Sequence, residues 1–410
     1  MGLNDHGFFV FEGGIIMIVS HKIKKQMEET GWIRRMFEEG INMKRQYGEE
    51  NVFDFSLGNP DVEPPEQLKQ SLIDTLNMPV TGMHRYMPNC GYDDVREEIA
   101  AYLKEYYGMP FSAKHTYMTA GSAGGLNILL KSILNKDDEV IVPTPYFMEF
   151  KYYIESHGGV VRLVNTKDDF QLDIQKIEEA ITPKTRAILI NSPNNPTGVI
   201  YSESILRELA ELLYTHRSKG KKIYLISDDA YKKLVYENIQ PPNIFSVYDL
   251  VISVTSHSKD LALPGERIGY IAISPEIKDV DMLISGLMFS SRALGFVNAP
   301  ALFQRVVGKF QKNSVDILEY QKKRDILFNT LVEAGFQCTK PMGAFYIFPK
   351  SPIDDELEFV KLLQEKERIL VVPGRGFGKE GFFRIAYCVP FKKVLGALDG
   401  FRRIGKEYIK

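Results

Sequence analysis

Short, almost uninterrupted apolar runs recur along the chain, at 140–143, 187–191, 223–227, 250–255 and 268–273, with longer mixed stretches between them. A strand that lacks polar alternation must be covered on both faces. Runs of this kind spaced by helices therefore demand βα units and a buried sheet that is mostly parallel. Residues 204–216, after the turn at Asn195-Pro196-Thr197-Gly198, read as one such helix. Earlier helices are expected at 22–47, 65–76 and 93–107, the last with Val95, Ile99, Tyr102 and Leu103 along one face. Beyond 300 the pattern changes to a long helix over 301–334, a strand at 344–348, a helix at 356–366 and strands at 369–372 and 382–386. The expected organisation is one large α/β domain over 66–299, with a smaller α+β domain built from 17–65 and 300–410. Residues 1–16 stand apart. Either Met17 is the start, with Glu12-Gly13-Gly14 encoded by a ribosome-binding sequence, or they form a short arm.

The 410 residues are ample for a substantial core. A net charge of −2 argues against nucleic acid as the main partner, since a polyanion needs a clustered basic surface. No apolar run approaches the roughly 20 residues that span a bilayer. The best early candidate, 15–19, is far shorter and follows no basic segment. Three scattered cysteines, Cys90, Cys338 and Cys388, form no disulfide framework and point to a reducing, cytoplasmic setting. The seven histidines show no metal-ligand spacing, so no metal is expected. Gly374-Arg375-Gly376-Phe377-Gly378 imitates a dinucleotide loop, but a strand rather than a helix is expected after it. Trp32 reads as packing.

Chemistry gathers where the runs end. The run 187–191 leads into Ser192-Pro193-Asn194-Asn195-Pro196-Thr197-Gly198, 223–227 into Asp228-Asp229-Ala230-Tyr231, and 250–255 into Ser256-His257-Ser258-Lys259, with Arg267 eight residues on. Asn195, Asp228 and Lys259 are 33 and 31 residues apart, each step enough for one helix and one strand. All three then reach the same rim, at the C-terminal strand ends where open α/β sheets hold ligands.

On these motifs the sequence resembles the class I and II aminotransferases, pyridoxal-phosphate enzymes of fold type I. The resemblance runs from Ser56-Leu57-Gly58-Asn59-Pro60-Asp61 to Arg384. It includes Tyr86, Gly91 and Arg96, then Thr119-Ala120-Gly121-Ser122, Pro143-Thr144-Pro145-Tyr146-Phe147, and the Gly343-Ala344-Phe345-Tyr346 and Phe383-Arg384-Ile385-Ala386 segments. It implies a seven-stranded, mostly parallel sheet flanked by helices, a homodimer, and an enzyme that moves an amino group between an L-amino acid and a 2-oxo acid in two half-reactions. It also assigns roles. Lys259 would form the Schiff base with pyridoxal 5′-phosphate and carry the proton. Asp228 would pair with the pyridine nitrogen, while Tyr231 and Asn195 bond the phenolic oxygen. Ser122, Ala123, Gly124, Ser256, Ser258 and Arg267 would hold the phosphate, joined by Tyr86 of the neighbouring subunit. Phe147, or else Tyr146, would lie against the ring. Arg384, Gly58 and Asn195 would receive the substrate, Arg384 as a planar fork for its α-carboxylate.

Two departures, His257 before the Ser258-Lys259 pair and Leu263-Pro264-Gly265-Glu266 before Arg267, weaken any transfer of substrate identity. Arg292 is a candidate reader of a side-chain carboxylate. A β- or γ-lyase on the same fold would use the same cofactor residues and stays open from sequence. A ligand-sensing regulator would need a DNA-binding domain ahead of the loop at 56–61, and some 50 residues there leave no room for one.

Overall fold

A computed structural model describes residues 2–3, 9–10, 18–79 and 81–409, with backbone only for 2–3, 9–10 and 29–37. Met17, most of 1–16 and the Trp32 side chain lie outside the described residues. The chain divides into two compact units, 1–52 and 53–410. The first carries the helix His21–Tyr47, started by Ser20, whose hydroxyl accepts from Ile23 N at 3.3 Å.

Among the described residues, the second unit is built on a seven-stranded sheet. Its strands in chain order are β1 (Thr116–Thr119), β2 (Glu139–Thr144), β3 (Val160–Asn165), β4 (Thr185–Asn191), β5 (Tyr224–Asp228), β6 (Val251–Ser256) and β7 (Gly269–Ile273). In space they run β1-β7-β6-β5-β4-β2-β3, all parallel except β7, which is antiparallel to both neighbours. Val140, Ile141, Val142, Ile188, Leu189, Leu225, Ile226, Val251 and Val254 are all 2% exposed or less, as a sheet covered on both faces requires.

The covering helices follow ordinary rules. In Glu203–Ser218, Ser202 caps the start through Ile205 N, and Ile205, Leu206, Leu209, Leu212 and Leu213 form the buried stripe. Each leucine buried there contributes about 2 kcal/mol. Two strands carry no apolar run. β3 lies at the sheet edge with Val160 and Leu163 exposed and Arg162 paired to Glu139. The Thr-Tyr-Met-Thr of β1 reads as polar yet is buried throughout.

The helix expected over 301–334 is corrected by the structure. It ends as Ala301–Val307, tightens through Gly308–Phe310, and restarts as Ile317–Glu333. The Asp316 carboxylate accepts from Leu318 N at 2.9 Å and caps the new start, so the intervening residues form a turn. Beyond it lie a three-stranded antiparallel sheet of Tyr346–Ile347, Phe383–Ala386 and Val372–Pro373, and a parallel pairing of Ile369–Leu370 with Phe53–Asp54. The glycine run at 374–378 is a tight 3-10 turn with no helix after it.

Candidate active site

Parallel strands deliver their C-terminal ends to one edge of the sheet, and three of the expected residues meet there. Asn191, at the end of β4, is the register partner of Asp228, at the end of β5. Its side chain joins the two loops. The amide donates to Asp228 O at 2.8 Å, and its oxygen accepts from Asn195 N at 2.7 Å. Lys259 follows the last residue of β6 within one short helical turn, His257–Asp260.

Arg267 arrives by a different route. Because β7 runs antiparallel, it begins at the rim where its neighbours end, with Gly269 opposite both Ser256 and Thr119. Arg267, two residues upstream, therefore reaches the same edge. Its guanidinium donates to Ser258 Oγ at 3.3 Å and to Pro264 O at 3.0 Å. Facing it is the first turn of the helix Gly121–Ile133, which contains Ser122, Ala123 and Gly124. Amides of a first turn lack an intrahelical acceptor and suit an anion.

Gly121 is a site residue that the motif reading passed over. It has φ +71°, and a Cβ there would stand 2.7 Å from Arg267 Nη2. Gly121→Ala is expected to destabilise the fold by about 1–3 kcal/mol and to displace Arg267, read as a lower denaturation midpoint. An unchanged midpoint would show that the position tolerates a side chain.

A further set of groups at the rim comes from the C-terminal sheet. Arg384 is buried, with Nη1 donating to Asn195 Oδ1 at 3.1 Å and Nη2 to Ser56 O at 2.6 Å. Its guanidinium lies 4.7 Å from the rings of both Tyr346 and Phe377. Lys259 Nζ donates to Gly58 O at 2.7 Å, which draws the loop at 56–61 into the site. That loop is also anchored by the fully buried Lys323, bonded to Asp61 at 2.6 Å. Tyr231 and Tyr346 share a hydroxyl–hydroxyl bond of 2.7 Å, and a Cβ on Gly58 would collide with the Tyr346 hydroxyl. Tyr346 was legible only as part of a motif, with no role attached.

Burial tunes the two central groups in opposite directions. It is the main cause that lowers the Lys259 amine to about 8, opposed by the field of Cys388 and assisted by the smaller fields of Arg267 and Arg384. It raises the Asp228 carboxyl to about 7, with Asp229 adding to the rise. Among the described residues, the one hydrogen bond to the Asp228 carboxylate comes from Ala230 N at 3.2 Å, and no cation faces it. Asp229 looks elsewhere. Ser227 and Ser253 hydroxyls donate to it, and turns rather than a helix follow it.

Other expected residues lie further out. Phe147 is half-buried and packs edge-on against Phe150 at 5.5 Å, while Tyr146 is buried and its amide donates to Phe377 O. Tyr86 is 89% exposed, beside an open hollow lined by His84, Arg85, Met87, Phe296, Val297 and Asn298. Arg292 is exposed in the last turn of Val280–Ala293. His257 is buried, its side chain 3.2 Å from both Asp260 and Gln311. Among the described residues, no group of three His, Cys, Asp or Glu side chains could hold a metal ion, and no helix is long and apolar enough to cross a membrane.

A pyridoxal group fits what is present, because each part of it meets an unmet demand. Its protonated ring nitrogen would compensate the buried Asp228, its phosphate the Arg267 and first-turn amides, and its aldehyde the neutral fraction of Lys259. A buried lysine of lowered pKa, a buried carboxyl without a cation and two arginines at one rim suit the handling of an amine and its anionic partners. The chain belongs to the family described as aminotransferase class I and II, whose model matches residues 50–400, and it is an aminotransferase. That family works with pyridoxal phosphate. The chain is 30% identical over 396 residues to the aromatic-amino-acid aminotransferase 2 of Thermococcus litoralis, covering 93% of this chain and 97% of that protein. Among solved structures, an aminotransferase of Eubacterium rectale superposes with a TM-score of 0.92 at 36% identity, covering 96% of this chain and all of that one. The aspartate aminotransferase of Thermotoga maritima does so with a TM-score of 0.83 at 27% identity, covering 94% and 99%.

Proposed function

We propose that this chain holds pyridoxal 5′-phosphate at the rim described above and uses it to move an amino group between an L-amino acid and a 2-oxo acid. The observation that carries the reading is Lys259, buried at Gly58 O with its amine lowered to about 8 and set within the fields of Arg267 and Arg384. When bound, the cofactor supplies an aldehyde that takes up the amino group and a protonated ring that accepts the electron pair left at the substrate Cα.

The residues do the rest. Arg384 grips the α-carboxylate as a planar fork, and the backbone of Gly58 and the amide of Asn195 border the same seat. Near pH 8 about half of Lys259 is neutral, so the amine can take the Cα proton and later return it. Asp228, held in place through Ala230 N and Asn191, keeps a proton on the ring nitrogen by charge. Tyr231 donates its hydroxyl toward the ring oxygen, with Tyr346 fixing its direction and Asn195 as a second donor. Ser122, Ala123, Gly124, Ser256, Ser258 and Arg267 hold the phosphate, and Phe147 covers the ring face. Tyr86 reaches the phosphate of a second copy, so the working unit is a homodimer; its 89% exposure supports this. The three free cysteines support a reducing, cytoplasmic setting.

The test is optical. Protein mixed with pyridoxal phosphate should show the absorption band of the lysine-bound cofactor. Single amino acids should then discharge that band with one equivalent of 2-oxo acid released. Ammonia or thiol release with the band persisting, or no bound chromophore at all, would overturn the reading.

A further inference from the structure

Glu149 is a largely buried carboxyl to which the transfer chemistry above gives no task. It opens the helix Glu149–Ser156, with Met148 between it and the Tyr146-Phe147 pair. This segment is tied to the substrate side of the site. Tyr146 N donates to Phe377 O at 3.0 Å, the Phe377 ring lies 4.7 Å from the Arg384 guanidinium, and Asn194 donates to Pro145 O at 3.4 Å. Tyr153, four residues after Glu149 and on the same helix face, feels the charges of Glu149, Asp228 and Arg267, and Tyr346 feels that of Glu149. Burial raises the Glu149 carboxyl, while its own backbone N–H and then the field of Arg384 pull it back down.

Two buried polar atoms here have no hydrogen-bond partner among the described residues: Glu149 Oε2 and Arg384 Nε. The Glu149 carboxyl is met only by its own backbone N–H, so Oε2 lacks a donor, while the Arg384 Nε–H lacks an acceptor; each carries an uncompensated desolvation cost. A single ligand relieves both if it offers an acceptor to Arg384 and a donor to Glu149. The α-carboxylate of an amino acid is the acceptor, so the donor has to come from its side chain. A second carboxylate in that direction would meet Glu149 as a like charge.

We propose that Glu149 is the specificity residue of this site and selects amino acids whose side chains end in a cation, an ammonium or guanidinium, over dicarboxylic ones. The inference rests on the reading of Arg384 as the α-carboxylate seat.

The experiment compares ornithine, glutamate and alanine on the cofactor-loaded wild type, Glu149→Gln and Glu149→Lys. It pairs single-turnover kcat/KM with calorimetric binding of α-methylornithine and α-methylglutamate, which cannot react. Wild type should favour ornithine over glutamate by roughly tenfold or more. Glu149→Gln should lose about tenfold on ornithine while alanine changes less than about threefold, and Glu149→Lys should shift the preference toward glutamate. Binding of the two inert analogues should follow the same order. Equal losses on all three amino acids, or a wild-type preference for glutamate that Glu149→Gln leaves intact, would overturn the proposal. Where the wild type turns over none of the three, the calorimetry decides Glu149 by itself, and tighter binding of α-methylglutamate than of α-methylornithine overturns the proposal, whereas the amino-transfer reading falls only if no amino acid discharges the cofactor band.

Discussion

Lys259→Ala will slow the amino-acid half-reaction by about 10⁴-fold while the protein still folds, because the neutral amine it removes is the one group placed to carry the Cα proton. The fold should not suffer. Burial lowers this amine to about 8, so at pH 7 the folded chain holds a charge it disfavours, and removing it relieves a cost. The cofactor-free variant should melt no lower than wild type at pH 7. Lys259→Arg should fail as completely, since a guanidinium keeps its protons throughout the working range. The measurement is single-turnover release of 2-oxo acid, with thermal melts alongside. Retention of a tenth of the wild-type rate by either variant would remove Lys259 from the proton-transfer step.

Asp228→Asn should lower the same rate by about 10³-fold, the scale at which loss of one charge aimed at the reacting centre is felt. Its effect on stability has the opposite sign. The folded carboxyl titrates near 7 against an ordinary aspartate value of 3.8 in the unfolded chain. Below about pH 4 both states are protonated and burial of this group costs nothing by ionisation. The cost then grows as pH rises to 7 and stays constant above, reaching about 4 kcal/mol at most. Asparagine carries no such term. The cofactor-free variant should therefore melt above wild type at pH 8, with the gap closing toward pH 4. Loading with pyridoxal phosphate should stabilise wild type more than the variant, because the ring cation answers a charge only wild type has. A cofactor-free melting difference that does not change with pH would show that the Asp228 carboxyl is compensated within the protein.

The parts of this site that could be read from the chain are those that periodicity places. Asn195, Asp228 and Lys259 follow three apolar runs that had to be buried parallel strands, and such strands have to deliver their ends to one edge. The runs, the turns after them and the order of the motifs were enough for the fold class and for that convergence. Helix breaks were less legible. The interruption within 301–334 depends on Gly308 tightening one turn and Asp316 capping the next, a local competition that an apolar stripe does not reveal. The edge strand β3 and the polar-looking β1 were likewise hidden, since their burial depends on neighbours distant in the chain.

The sequence by itself determined a two-sided parallel sheet and a rim of polar strand ends, because hydrophobic periodicity and chain length leave few other ways to bury those runs. Only the tertiary structure decided which other groups face that rim. The antiparallel direction of β7 brings Arg267 to Gly121, and the packing of the C-terminal sheet brings Arg384 to Asn195 and Tyr346 to Tyr231. The Glu149 carboxyl comes within the field of Arg384 in the same way. These meetings join residues far apart in sequence through burial and charge, and neither leaves a local signature along the chain.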